Sequence, residues 1–173
     1  MALTDHCDDQ ALRQQLVNVA RRMNSTGLNQ GTSGNLSARI EGGILVTPSS
    51  LPYEQMEADD LVALDLSGHP LREQQRRPSS EWRLHADVLN GRSEAMAVVH
   101  CHPIHATALA CHDRGIPAFH YMVAVAGGDE IRCAPYATFG TKELSENVVE
   151  ALGPRNACLL ARHGMVTLGK DLE

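Results

Sequence analysis

The sequence predicts an α/β layered domain whose sheet is at least partly antiparallel. Three observations carry that reading. Amphipathic helical stretches intermix with short apolar, β-branched stretches along the whole chain. Two strand-like runs, 36–40 and 44–47, are separated only by Glu41-Gly42-Gly43, which is too short for a parallel crossover and suits a hairpin. The 173 residues suffice for one domain with a real core, and no repeat, linker or low-complexity tract divides them.

Taken in order, Leu12, Leu16, Val19, Ala20 and Met23 recur at helical spacing and predict an amphipathic helix over 10–26, with Gly27 placed to end it. Residues 28–35 form a small-polar loop. Its glycines suit either an ordinary turn or a close approach of backbone to ligand. The hairpin follows, then a second small-polar loop at 48–52. Residues 61–66 read as a strand, and 69–77 as a surface connection whose arginines form a solvated patch. Pro78-Ser79-Ser80-Glu81-Trp82 opens a helix to about Leu89, with serine suited to the N-cap and glutamate to the first turn. The same features also suit an anion site.

Met96-Ala97-Val98-Val99 leads a buried strand into His100-Cys101-His102. Pro103 suits the first turn of a helix over 103–112, on which His105 and His112 read as surface or packing residues. Residues 116–125 are apolar around Phe119-His120-Tyr121, and Gly127-Gly128 breaks the run. Residues 131–136 read as a short strand. Leu144, Val148 and Leu152 predict a helix over 141–152, closed by Gly153. Strands at 157–161 and 165–168 flank Arg162-His163-Gly164.

Composition narrows the function. The chain is 43% hydrophobic and 21% charged, as expected of a soluble globular protein. A net charge of −6 gives no electrostatic support to nucleic-acid or anionic-membrane binding. No apolar run approaches a bilayer span, and the first nine residues lack the pattern of a secretory signal. Five cysteines without a C-x-x-C read as reduced thiols, which predicts a cytoplasmic protein.

The chemistry centres on His100-Cys101-His102. Alternate side chains on a strand share a face, so the two imidazoles stand together, roughly 6–7 Å apart at Cα, and Cys101 points away. Two such rings can converge on one metal ion. His163 also stands at a strand end, and Glu81 at a helix mouth. Together they offer three imidazoles and a carboxylate, a set that suits Zn²⁺. An exchangeable fourth ligand would make the site catalytic, and a permanently closed one structural. A cupin-type site also begins with His-x-His, but Ala106 and Thr107 stand where its glutamate is expected.

The segments 27–35, Pro78-Ser79-Ser80-Glu81-Trp82-Arg83, Val98-Val99-His100-Cys101-His102, 116–122, 133–141 and Arg162-His163-Gly164 resemble the class II aldolase/adducin family, in family order across nearly the whole chain. The resemblance is strongest to the branch acting on L-fuculose 1-phosphate. It implies a single three-layer α/β/α sandwich over 1–173 with a largely antiparallel central sheet, assembled as a C4 homotetramer. It implies one zinc per subunit on Glu81, His100, His102 and His163, and a substrate phosphate among Gly34, Asn35, Ser49, Ser50, Ser79 and Ser80. It makes Tyr121 a proton donor in a neighbouring subunit's site, and Glu81 the acid–base group. The reaction implied is reversible cleavage of a ketose 1-phosphate to dihydroxyacetone phosphate and an aldehyde through an enediolate. The Schiff-base route to that reaction would use lysine, and the two lysines, Lys142 and Lys170, stand in polar contexts.

Three departures from the L-fuculose branch stand out. Ser49-Ser50 replaces its Thr-Gly, Arg162 stands where a second histidine often precedes the ligand histidine, and a C-terminal helical region is expected beyond Glu173. The rival readings are a 5-deoxyribulose- or methylthioribulose-1-phosphate aldolase and a pentulose-phosphate 4-epimerase. A third is a non-catalytic adducin-like interaction domain, which would not need the ligand set.

Overall fold

A computed structural model describes residues 6–172, with side chains from residue 10 onward. The sequence reading of the first nine residues falls outside the described residues over 1–5, and that of the Cys7 thiol falls outside the described side chains. The chain forms α1 (His6–Ser25), β1 (Asn35–Ile40), β2 (Gly43–Val46), β3 (Val62–Asp65), α2 (Trp82–Gly91), β4 (Ala97–Cys101), α3 (Ile104–Ala110), β5 (Cys133–Ala134), α4 (Lys142–Leu152), β6 (Ala157–Leu160) and β7 (Gly164–Gly169). Short 3₁₀ segments lie at Ala58–Asp60 and Tyr121–Ala126.

The strands make one seven-stranded sheet in the order β3-β2-β1-β4-β7-β6-β5. Neighbours are antiparallel except β5 and β6, which are parallel. The sheet is therefore mixed and largely antiparallel. The hairpin pairs Ile40 with Gly43, and Gly42 turns it at a φ of +77°.

Alternation along the strands splits the core in two. Ile44, Val46, Val62, Leu64, Val98 and Val166 pack with α2 and α4. Leu36, Ala38, Leu45, Ala63 and Cys101 pack with Leu16, Val17, Ala20 and Met23 of α1. Asn35, Ser37 and His100 have the opposite parity to Leu36, Ala38 and Cys101, so the sheet presents them on the α2 side. β1 thus carries polar groups on its α2 face and apolar groups on the other, and β4 adds His100 to the α2 face beside Val98.

Some element bounds differ from the sequence reading. The strand expected at 131–136 shrinks to Cys133–Ala134, because Pro135 cannot donate to a ladder. Ile131 pairs instead with Ile116 in an isolated bridge. Helix α2 begins at Trp82 rather than at the serines. Ser79 accepts through its carbonyl from Trp82 N–H (3.1 Å) and through its hydroxyl from Glu81 N–H (3.2 Å), closing a turn ahead of the helix. Glu81 is then the N-cap residue, but its side chain caps nothing and points elsewhere. Pro103 precedes α3 in an extended conformation, and the helix stops at Ala110, with Asp113 turning at a φ of +55°. His105 and His112 are exposed, as expected.

Candidate active site

Three loops meet above the centre of the sheet. The first follows α1 and is held from below. Asn29 is buried, and its Oδ1 accepts from His102 N–H (3.3 Å) and from the Ser33 hydroxyl (3.2 Å). The buried Tyr53 hydroxyl donates to Gly34 O, and burial raises its pKa well above the usual tyrosine value. A β-carbon on Gly34 would lie 2.7 Å from His100 O and 2.8 Å from Asn29 Oδ1, so glycine is required there by space.

The second and third loops are stitched together. Ser49 N–H donates to Arg77 O and Ser79 N–H donates to Thr47 O, each at 3.0 Å. Ser50 has a φ of +59°. A serine there takes the left-handed path that glycine adopts freely. Gly34, Asn35, Ser49, Ser50, Ser79, Ser80, Glu81, His102, His163 and Phe139 share one cavity of about 300 Å³. All six residues predicted to hold phosphate therefore line a single space beside the predicted metal ligands.

His100, His102 and His163 bring ligand atoms within 4.8 Å of one another. His100 and His102 approach at Nε2–Nε2 2.9 Å. His100 Nδ1 lies 2.9 Å from Met165 O, a carbonyl that can only accept, so the proton sits on Nδ1 and the Nε2 lone pair faces the cluster. Burial first, then repulsion from His163 and His102, holds His100 well below the usual histidine pKa. Burial and His163 lower His102 as well. Neutral imidazoles are the form that binds metal.

Glu81 is 4% exposed. Its Oε2 lies 3.2 Å from His100 Nε2 and accepts from Asn35 Nδ2 at 2.9 Å. Its Oε1 is buried without a hydrogen-bond partner, 3.6 Å from His163 Nε2. A buried carboxylate oxygen left in this state is costly. One proton shared by His100 and His102 would not reach it, whereas a divalent cation would answer the lone pairs and the carboxylate charge together. The donor set therefore fits a metal ion.

Tyr121 is not in this cavity. It is 80% exposed and lines a separate open depression with Phe119 and His120. Arg162 turns at a φ of +57°, and its guanidinium bonds Asp113 Oδ2 at 2.8 Å, away from the cavity lining. Lys142 is a surface residue paired with Glu146.

Sequence reasoning missed four supporting residues: Asn29, Ser37, Tyr53 and His85. His85 was the most findable. It follows Glu81 by four residues, and a histidine one helical turn from a suspected ligand faces the same way.

The fold falls in the class II aldolase group. A solved L-fuculose 1-phosphate aldolase matches with a TM-score of 0.89 and 38% identity, over 93% of this chain and 76% of that one. The chain belongs to the family described as Class II Aldolase and Adducin N-terminal domain, which matches residues 14–173. It is 50% identical to a 5-methylthioribulose-1-phosphate/5-deoxyribulose-1-phosphate aldolase of Rhodospirillum rubrum, over 94% of this chain and 73% of the relative. It is 48% identical to an L-fuculose phosphate aldolase of Escherichia coli K12, over 94% and 74%.

Proposed function

We propose that this protein is a zinc-dependent class II aldolase that reversibly cleaves a ketose 1-phosphate to dihydroxyacetone phosphate and an aldehyde. One observation carries the reading: Glu81, His102 and His163 open into the same small cavity as six hydroxyl, amide and glycine residues suited to a phosphate, and the buried His100 completes the cluster of three histidines suited to a metal. The aldolases among its relatives support the reaction class.

Glu81, His100, His102 and His163 would hold one zinc per subunit. When bound, zinc supplies a Lewis acid that stabilises the enediolate. Gly34, Asn35, Ser49, Ser50, Ser79 and Ser80 anchor the phosphate and so fix the substrate's first carbons beside Glu81. Glu81 takes and returns the proton as general base and acid. Tyr121 of a neighbouring subunit takes the hydroxyl proton in cleavage and returns it to the aldehyde oxygen in synthesis. The reading includes a single three-layer domain over 1–173, a C4 homotetramer and a cytoplasmic setting. Among the described residues, Cys101, Cys111, Cys133 and Cys158 are free thiols, and no helix is long and apolar enough to cross a membrane.

The substrate class is a ketose 1-phosphate. L-fuculose 1-phosphate and 5-deoxyribulose 1-phosphate share the end that this cavity would grip, and relatives of nearly equal identity are named for each. The test is release of dihydroxyacetone phosphate from both sugars, before and after chelation. Release from either that chelation abolishes and zinc restores is the expected result. No release from zinc-loaded protein with either sugar would overturn the reading and favour the epimerase.

A further inference from the structure

A string of buried polar groups runs behind Glu81, away from the cavity. Asn35 Nδ2 donates to Glu81 Oε2 at 2.9 Å, Asn35 Oδ1 meets His85 Nε2 at 2.5 Å, and His85 Nδ1 meets Ser37 Oγ at 2.8 Å. Ser37 and His85 have no exposed surface, and Asn35 and Glu81 have 4% each.

The chemistry allows one direction of donation. Glu81, ionised, only accepts, so the Asn35 amide must turn its NH₂ toward it and its carbonyl toward His85. That carbonyl needs a donor, so neutral His85 carries its proton on Nε2. Its Nδ1 then accepts, and the Ser37 hydroxyl must donate to it. Burial supports the neutral ring, pushing the His85 pKa down to about 3, with His100 adding to the depression. Each contact in the string joins one donor to one acceptor, which makes such a network rigid.

The elements that carry it are themselves fixed. Asn35 and Ser37 stand two apart on β1, opposite His100 and Val98 of β4. His85 stands one turn after Glu81 on α2. The string thus ties the helix that carries Glu81 to the strand beside the histidines.

We propose that Ser37, His85 and Asn35 form a positioning relay that holds Glu81 Oε2 beside His100 and leaves Oε1, on the His163 side, as the oxygen free to meet the reacting carbon. This rests on Glu81 being a metal ligand and the acid–base group. Ser37 and His85 touch neither substrate nor metal; they act by keeping the Asn35 amide from flipping. A flipped amide would set its carbonyl against the carboxylate and turn Glu81 away.

The test uses full-length protein loaded with zinc for turnover and with cobalt for its visible absorption. His85→Phe and Asn35→Ala should each lower kcat by about 10- to 100-fold, with little change in KM for His85→Phe. The double variant should be no slower than Asn35→Ala alone, because both changes act through one amide. His85→Gln, which keeps a donor near the Nε2 position, should recover most of the loss. The cobalt absorption should shift in His85→Phe and return in His85→Gln, whatever the turnover. If His85→Phe does not fold, Ser37→Ala serves instead, with an expected loss of roughly two- to tenfold. Losses that multiply in the double variant, or an unchanged cobalt spectrum with unchanged kcat, would overturn the relay. Cobalt spectra that shift as expected in a protein without aldol cleavage would keep the relay and overturn the proposed reaction.

Discussion

The two oxygens of Glu81 stand in different circumstances, which suits the residue to the two roles proposed for it. Oε2 is held by Asn35 and lies near His100, whereas Oε1 is buried and unpartnered beside His163. A group of this kind can ligate a metal and also exchange a proton, provided that its charge is intact. Glu81→Gln keeps the shape and removes the charge. Turnover should fall by about 10² to 10⁴, the usual worth of a general acid–base group, while zinc analysis still finds metal on the protein. His100→Ala should behave in the opposite way. His100 is fully buried and its Nδ1–H is fixed by Met165 O, so its loss removes a rigid ligand and zinc occupancy should drop. Near-wild-type turnover in the first variant, or full zinc occupancy in the second, would refute these roles.

At the scale of elements, the site is a junction. β1 and β4 supply alternate residues to one face, α2 and the turn before it supply His85 and Glu81, and the turn between β6 and β7 supplies His163. The first of the hydroxyl-lined loops passes close to β4 at Gly34. Gly34→Ala would force a methyl against the His100 carbonyl, and that carbonyl belongs to the β1–β4 ladder, which cannot retreat easily. We expect a loss of about 1–3 kcal/mol, read as a lower melting temperature, together with a higher KM for the ketose 1-phosphate. Unchanged melting and KM in the Gly34→Ala variant would show that the loop has room the geometry denies it.

At the scale of the whole molecule, Tyr121 belongs to a different surface from Glu81. Phe119, Tyr121, Met122 and Val125 are between 52% and 80% exposed on one stretch, an apolar face suited to another chain. If Tyr121 completes a neighbour's site, two damaged chains can repair each other. Tyr121→Phe and Glu81→Gln proteins should each be slow alone and should retain their fold. Co-assembled by unfolding and refolding together, they should regain a sizeable part of the cleavage rate. In mixed assemblies some sites pair the intact Glu81 of one chain with the intact Tyr121 of another. No recovery in assemblies shown to be mixed would place both residues in the same subunit's site, or remove Tyr121 from the reaction.

Periodicity and residue chemistry determined much by themselves. The 3.6-residue spacing of Leu12, Leu16, Val19, Ala20 and Met23 marked α1, and the short glycine turn marked the β1–β2 hairpin, because these patterns follow from local geometry. His-x-His on a strand marked a shared face for the same reason. The sequence also singled out both hydroxyl-rich loops and His163. Tertiary structure alone decided that Asn35 turns its amide to Glu81 rather than into open space. It alone revealed the parts played by Ser37, Tyr53 and His85. These outcomes depend on partners 19 to 50 residues away along the chain. A hydrogen bond needs its two groups within about 3 Å, and no local pattern records which distant residue the fold will bring that close.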